Sequence, residues 1–191
     1  MRSASGFSLI ELLVGVVLLG VLMAIGIPAF TDGLRNARVR TVASSVLQGL
    51  QLTRAEAVRR NTTVRFQFVT TLANNCAPSA AGPNWVVSLD DATGRCAAAA
   101  SDTVAPRLIQ ARSGAEGSAF TTLAAGQPAF VFNSRGRLTT PPALIDLSAN
   151  AGEACVDAGG RVRCLRIVVT AGGQIRMCDP ALPAGDTQAC T

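Results

Sequence analysis

The side chains that could do chemistry in this 191-residue sequence are carboxylates, cysteines and arginines, since histidine, lysine and tyrosine are absent. All 17 basic residues are arginine, against 12 acidic residues, which gives a net charge of +5. This composition excludes a histidine base, a histidine-ligated metal and a Ser-His-Asp triad. The pair Asp90-Asp91 has the composition of a turn rather than of a two-carboxylate active site. We therefore predict a protein that is not an enzyme and that uses no cofactor.

The cysteines predict disulfides. They are Cys76, Cys96, Cys155, Cys164, Cys178 and Cys190. An even number of cysteines in a part of the chain predicted to lie outside the cell membrane indicates disulfide pairing. A metal site is disfavoured because no Cys-x-x-Cys spacing and no histidine occur. Many complete pairings remain open, and loop locality favours Cys76–Cys96, Cys155–Cys164 and Cys178–Cys190.

A cluster of arginines near the C-terminus is the third group with chemical potential. It consists of Arg161, Arg163, Arg166 and Arg176. No acidic residue stands between Asp157 and Asp179, and on an extended strand Arg161 and Arg163 face the same way. Such a cluster is typical of salt-dependent, sequence-independent contact with DNA phosphates. The alternative is that these arginines keep a sheet edge soluble, and no aromatic residue for base stacking lies among them.

Phe7–Phe30 is an apolar run whose single charge is Glu11. Because about 20 helical residues cross the hydrocarbon core of a bilayer, the run predicts a transmembrane helix. Arg2 on its N-terminal side predicts that this end stays in the cytoplasm and that the rest lies outside. A carboxylate within a membrane is costly and is a functional candidate by default. Pro28 is expected to kink the helix or to mark where it leaves the membrane.

The segment Gly6-Phe7-Ser8-Leu9-Ile10-Glu11 resembles the class III signal of type IV pilins and type II secretion pseudopilins. The resemblance implies a leader over residues 1–6, which prepilin peptidase removes between Gly6 and Phe7, and N-methylation of Phe7. It also implies that Glu11 pairs with the terminal amine of a neighbouring subunit, and that Pro28 is the family's helix-bending proline. An uncleaved anchor for a periplasmic domain is the alternative that the residues alone leave open.

The same resemblance implies where the protein works and with what. Residues 7–30 would form a transmembrane and assembly helix in the bacterial inner membrane, with the remainder in the periplasm. The subunit would then move into a pilus or a pseudopilus. Its partners would be other major and minor pilins, contacted through the N-terminal helix, together with prepilin peptidase and the membrane itself.

Residues 31–61 predict an amphipathic helix, which we call the stem. Its apolar positions recur at helical spacing and are expected to pack on a sheet. These positions are Val39, Val42, Ala43, Val46, Leu47, Leu50 and Ala57. Over Thr31–Arg65, seven arginines stand against two acidic residues, so the positive excess of the chain lies here. It serves either contact with acidic neighbours or lipid head groups, or a solvated helix face.

Residues 62–191 predict a β-rich, disulfide-bonded head. Short β-prone runs occur at Val64–Phe68, Trp85–Leu89 and Pro128–Phe132, and a hairpin is expected from Leu165–Thr170 and Gln174–Met177. Loops are expected at Ala97–Ala105, Gly114–Gly126 and Ala181–Gly185. One long helix followed by several short strands predicts an α+β fold, with the helix laid against an antiparallel sheet.

The head resembles the GspH/FimT group of minor pilins and minor pseudopilins. The matching segments are Arg54-Ala55-Glu56-Ala57, Trp85 to Asp90, Phe130-Val131-Phe132-Asn133 followed by Gly136, and a final hairpin ending near Arg176-Met177-Cys178-Asp179-Pro180. The resemblance implies the type IV pilin fold and a minor pilin that joins a type IV pilus or primes its assembly. A minor pseudopilin of a type II secretion system is the alternative.

DNA is a further candidate partner, because some members of this group are DNA receptors in natural transformation. Their signature is a C-terminal Gly-Arg-x-Arg. Here Gly173-Gln174-Ile175-Arg176 keeps the glycine and the second arginine, but Gln174 replaces the first arginine. The candidate DNA-binding residues are Arg161, Arg163, Arg166, Gly173, Gln174 and Arg176.

Overall fold

The computed structural model describes residues 8–114, 121–149 and 153–190, with the side chains of residues 25–29 excepted. Helix α1 spans Leu9–Arg59, and eight strands follow it within these ranges. The strands are β1 (Val64–Phe68), β2 (Trp85–Ser88), β3 (Leu108–Arg112), β4 (Thr121–Ala125), β5 (Ala129–Phe132), β6 (Ala143–Ala149), β7 (Leu165–Val169) and β8 (Ile175–Cys178). The chain divides into two compact units, the first ending at Leu34 and the second beginning at Arg35.

The strands of the second unit form two four-stranded antiparallel sheets. Their orders are β3-β2-β1-β5 and β4-β6-β7-β8. In the first sheet Phe66 pairs with Val87 on one side and with Phe130 on the other. In the second sheet Ile167 pairs with Ile145 and with Met177. The α+β fold with a long helix and antiparallel sheets is confirmed, and the described part of the head contains two sheets rather than one.

The apolar face of the stem is buried in the core of the second unit. Val39, Val42, Ala43, Val46, Leu50 and Ala57 belong to this core, and Leu47 packs against it. The sheets contribute four buried phenylalanines, at positions 66, 68, 130 and 132. Trp85, which is 2% exposed, lies among them. The helical spacing therefore identified the packed face of the stem correctly, and Trp85 is a core residue.

Five strands lie where β-prone runs predicted them, namely β1, β2, β5, β7 and β8. The loop predicted over Gly114–Gly126 is wrong for its second half, because Thr121–Ala125 forms β4. This strand has one large apolar side chain, Leu123, which lies opposite Leu147 of β6. Its other side chains are small, so pairing with β6 stabilises the strand in a way that local sequence does not reveal.

Charged contacts fasten the long connection between β2 and β3 to the end of α1. The Arg60 guanidinium donates to Glu56 Oε2 at 2.7 Å and to Asp102 Oδ1 at 2.5 Å. Arg59 Nη2 donates to Glu56 Oε2 at 2.6 Å. This hydrogen bond from Arg59 holds the pKa of the Glu56 carboxyl below its ordinary value. Glu56 therefore stays ionised and links two arginines at the end of the helix.

Candidate functional site

The candidate assembly site begins at the first described turn of α1. The Glu11 N–H donates to Ser8 Oγ at 3.2 Å, which is a helix-capping contact. The Glu11 carboxylate thus lies in the first turn, near the positive end of the helix dipole. Pro28 lies within the bounds of α1. The predicted processing residues Gly6 and Phe7 lie outside the residues that the structure describes.

The helix surface around Glu11 is apolar on all sides. Leu9, Ile10, Leu12, Leu13, Val14, Val16, Val17, Leu18, Leu19, Val21, Leu22 and Met23 are between 49% and 82% exposed. Among the described residues, no helix combines the length and apolarity needed to cross a bilayer. Contiguous apolar surface of this kind marks contact with another apolar surface. Its chemistry suits helices packed side by side, with one carboxylate available to a cation.

Three disulfides use all six cysteines of the chain: Cys76–Cys96, Cys155–Cys164 and Cys178–Cys190. They are the pairs that loop locality favours. The first closes the loops on either side of β2, the second closes the connection before β7, and the third joins the end of β8 to the C-terminal tail. Each such bridge stabilises a fold by about 2–4 kcal/mol, chiefly by restricting the unfolded chain.

Two of the C-terminal arginines lie on the neighbouring strands β7 and β8. Arg166 of β7 stands opposite Cys178 of β8, and Arg176 of β8 stands opposite Val168. Arg166 and Val168 are two positions apart on β7, so they share a face of the sheet. Arg176 lies on that same face because it is directly opposite Val168. Arg161 is exposed in the connection that precedes β7. The structure thus brings part of the arginine cluster together on one side of the second sheet.

Two of these guanidinium groups are already paired with carboxylates of the same chain. Arg166 Nε donates to Asp146 Oδ1 at 2.6 Å, across to β6. Arg163 Nη1 donates to Asp179 Oδ2 at 3.0 Å. Each pair reduces the positive field that a phosphate would meet, so the cluster is weaker as a DNA site than its sequence suggests.

The glycine of the partial Gly-Arg-x-Arg signature has a structural role. Gly173 has φ +80° in the turn between β7 and β8, and an added Cβ would lie 1.9 Å from the carbonyl oxygen of Gly136. The backbone of Gln174 closes the same turn, accepting a hydrogen bond from Thr170 N at 3.0 Å. The turn therefore requires a glycine at this position, whether or not the protein binds DNA.

A groove beside Arg163 was not predicted from the sequence. It has a volume of about 460 Å³ and is lined by Asn36, Arg40, Arg163, Leu165, Met177, Cys178, Asp179 and Gln188. We call it the Arg40 groove. The Arg163 N–H donates to Asn36 Oδ1 at 2.8 Å, which holds the connection before β7 against the helix. The charge excess of the stem is the only sequence signal for this groove, and that signal does not distinguish Arg40 from the other arginines.

Comparisons with known proteins agree with this architecture. A family model described as type II transport protein GspH matches residues 42–173. A model of the prokaryotic N-terminal methylation motif matches residues 1–27. No curated protein sequence matches the chain.

Solved structures are similar in fold at low sequence identity. The type IV minor pilin FimU of Pseudomonas aeruginosa is 16% identical with a TM-score of 0.51, over 80% of this chain and 95% of that chain. The minor pseudopilin EpsH from the type 2 secretion system of Vibrio cholerae is 15% identical with a TM-score of 0.46, over 76% of this chain and 99% of that chain. The likeness to FimU supports the fold.

Proposed function

Because the chain belongs to the family of type II transport protein GspH, we propose that it is a minor pilin which prepilin peptidase processes and which joins, or primes, a type IV pilus. The N-terminal methylation motif over residues 1–27 supports processing. The observation that carries the assembly role is the position of Glu11, the one carboxylate on an apolar, exposed stretch of helix.

Assembly follows from the chemistry of that helix. Before assembly, the apolar side chains of residues 7–30 would be covered by the inner membrane, with the head in the periplasm. In the filament, the same side chains would be covered by the helices of neighbouring pilins. A carboxylate in such surroundings is tolerated when a cation is paired with it. The terminal amine of a neighbouring subunit would supply that cation, and the head would face outward.

Processing at Gly6 can be tested by mass spectrometry of the protein recovered from sheared pili and from membranes. We expect the recovered chain to begin at an N-methylated Phe7. Replacing the residue before the cut, Gly6→Leu, should leave the leader on nearly all molecules, because the substitution changes the cleavage site itself. Ser5→Ala, one position further back, should be processed like the wild type. Recovery of filament-borne chains that still carry Met1–Gly6 would contradict the proposal.

A pseudopilus of a type II secretion system is the alternative machine, because the family and the fold are common to both. Deleting the chain in its own host separates them. Loss of pili with normal export of secreted enzymes supports the pilus. Loss of export with normal pili supports the pseudopilus, and leaves the processing and Glu11 predictions unchanged.

DNA capture by a pilus that carries this subunit is the second candidate function, favoured by the shared face of Arg166 and Arg176. The full chain in detergent can be titrated with fluorescent duplex DNA across a salt series. Because Asp146 and Asp179 pair with two of the arginines, we expect no binding that depends on this cluster. Micromolar binding that salt weakens, and that Arg166→Ala/Arg176→Ala reduces about tenfold, would instead establish DNA capture. Arg95→Ala/Arg112→Ala is the matched control, because it removes two exposed arginines from the β2–β3 connection and from β3, which belongs to the first sheet and not to the second.

A further inference from the structure

We infer that the Arg40 groove binds one carboxylate of a neighbouring, acidic subunit. The inference rests on the proposed assembly function, which supplies the neighbour, and it adds a specific contact for the head.

Several arginines of the stem and of β1 are paired with carboxylates, whereas Arg40 is not paired in this way in the described structure. Arg35 pairs with Glu153, Arg59 and Arg60 share Glu56, and Arg65 lies 3.9 Å from Asp91. Arg40 is exposed and has no acidic partner among the residues that the structure describes. It is therefore a cation held at a cavity, available to an outside anion.

The charges within the groove favour a single carboxylate as its occupant. The Asp179 carboxylate is 6% exposed and accepts hydrogen bonds from Arg163 Nη1 at 3.0 Å and from the Ala181 N–H at 2.9 Å. Arg163, by contrast, is 58% exposed, so Asp179 fixes one nitrogen of a guanidinium that still faces solvent. Two arginines and one aspartate leave a single net positive charge. That charge matches one carboxylate better than a phosphate chain.

Two disulfides and the core hold the groove in shape before anything binds. Arg163 is adjacent to the Cys155–Cys164 disulfide, and the Cys178–Cys190 disulfide joins β8 to the tail that carries Gln188. Leu165 and Met177 pack on the core and form the apolar wall. Binding at a rigid site loses little conformational entropy. The groove therefore fits an Asp or Glu that has an apolar side chain beside it.

A second copy of this chain is a poor source of that carboxylate. Most of the described carboxylates are already paired with the chain's own arginines, among them Glu56, Asp102, Asp146 and Glu153. The net charge of +5 also disfavours contact between two copies at this surface. A different subunit that is acidic at its contact surface is the partner that the charges favour.

The test places a photo-cross-linking amino acid at position 188, in place of Gln188, in the full-length chain in its own host. We expect a cross-link to another subunit with an N-terminal methylation motif, at a peptide that contains Asp or Glu. Arg40→Gln should reduce the yield about tenfold, the usual effect of losing a charge-assisted hydrogen bond. Arg54→Gln is the matched control, because Arg54 is also an exposed arginine of α1 without an acidic partner in the described structure. It should stay within about twofold of the wild type.

Charge exchange then decides the chemistry of the contact. Arg40→Glu should abolish the cross-link, and replacing the captured carboxylate by arginine should restore it. Equal losses from Arg40→Gln and Arg54→Gln, or a cross-linked peptide without a carboxylate, would overturn the inference. A wild-type chain that enters filaments but gives no cross-link also overturns it, and leaves the assembly proposal standing. An Arg40-dependent cross-link in a chain that never enters filaments would support the groove and contradict assembly.

Discussion

Replacing Glu11 with alanine is expected to leave the protein in the membrane and to remove it almost completely from filaments. The substitution lengthens the apolar surface of α1, so membrane anchoring should be unchanged or stronger. In the filament it would leave the amine of the neighbouring subunit without its counter-charge. Breaking a buried ion pair in this way costs about 3–5 kcal/mol. Since each 1.4 kcal/mol is about a factor of ten, incorporation should fall at least about a hundredfold.

The measurement is the amount of the chain in sheared pili relative to the amount in membranes, for variants made at equal levels. Glu11→Gln keeps the size and polarity of the side chain but removes the charge, so its incorporation should also fall. Leu13→Met keeps an apolar side chain of similar volume in the same exposed stretch, where Leu13 is 51% exposed. It should lower incorporation only slightly. Normal incorporation of Glu11→Ala would refute the assembly role of the carboxylate, even with the leader correctly removed.

The parts of the fold that the sequence predicted are those with strong local periodicity. The stem repeats its apolar residues at helical spacing, and Val64, Phe66 and Phe68 alternate with polar residues. Local sequence therefore predicts both elements without knowledge of the segments that pack on them. β4 does not, because only Leu123 distinguishes it from a loop, and the strand exists through its pairing with β6. Strands of that kind depend on contacts that are distant in sequence.

The functional residues differ in the same way, since some have a local sequence signal and others do not. Glu11 is detectable because a lone carboxylate in an apolar run is chemically conspicuous. The Arg40 groove is not detectable, because it is built from the stem, the strands β7 and β8, and the tail. Likewise, the sequence shows four arginines between Asp157 and Asp179 without an intervening acid, whereas the fold brings Asp146 onto Arg166 from another strand. The absence of acidic residues within this segment therefore led to an overestimate of the positive charge that is available to a phosphate.

Gly49 shows how closely the helix and the first sheet approach each other, and Gly49→Ala should destabilise the second unit substantially. A Cβ at this position would lie 2.7 Å from Phe66 Cε2 and 2.9 Å from Trp85 Cη2. Both rings are buried, and Phe66 also packs edge-on against Phe68 at 4.9 Å between centroids, so neither ring can move aside freely. In a free helix, alanine would instead be favoured over glycine by about 1 kcal/mol. Overpacking of a core typically costs about 1–3 kcal/mol, and we expect the larger end here.

The free energy of unfolding can be measured by urea titration of the full chain in detergent, followed by the fluorescence of its single tryptophan. Trp85 is suited to this because it is buried and lies at the mutated contact. Gly33→Ala is the matched control, since Gly33 lies in the same helix and an added Cβ there meets nothing within 4 Å. It should leave the unfolding of the head unchanged or slightly stabilised, by no more than about 1 kcal/mol. If Gly49→Ala is as stable as the wild type, α1 does not pack as closely on Phe66 and Trp85 as described. Close packing would then not explain the presence of glycine at this position.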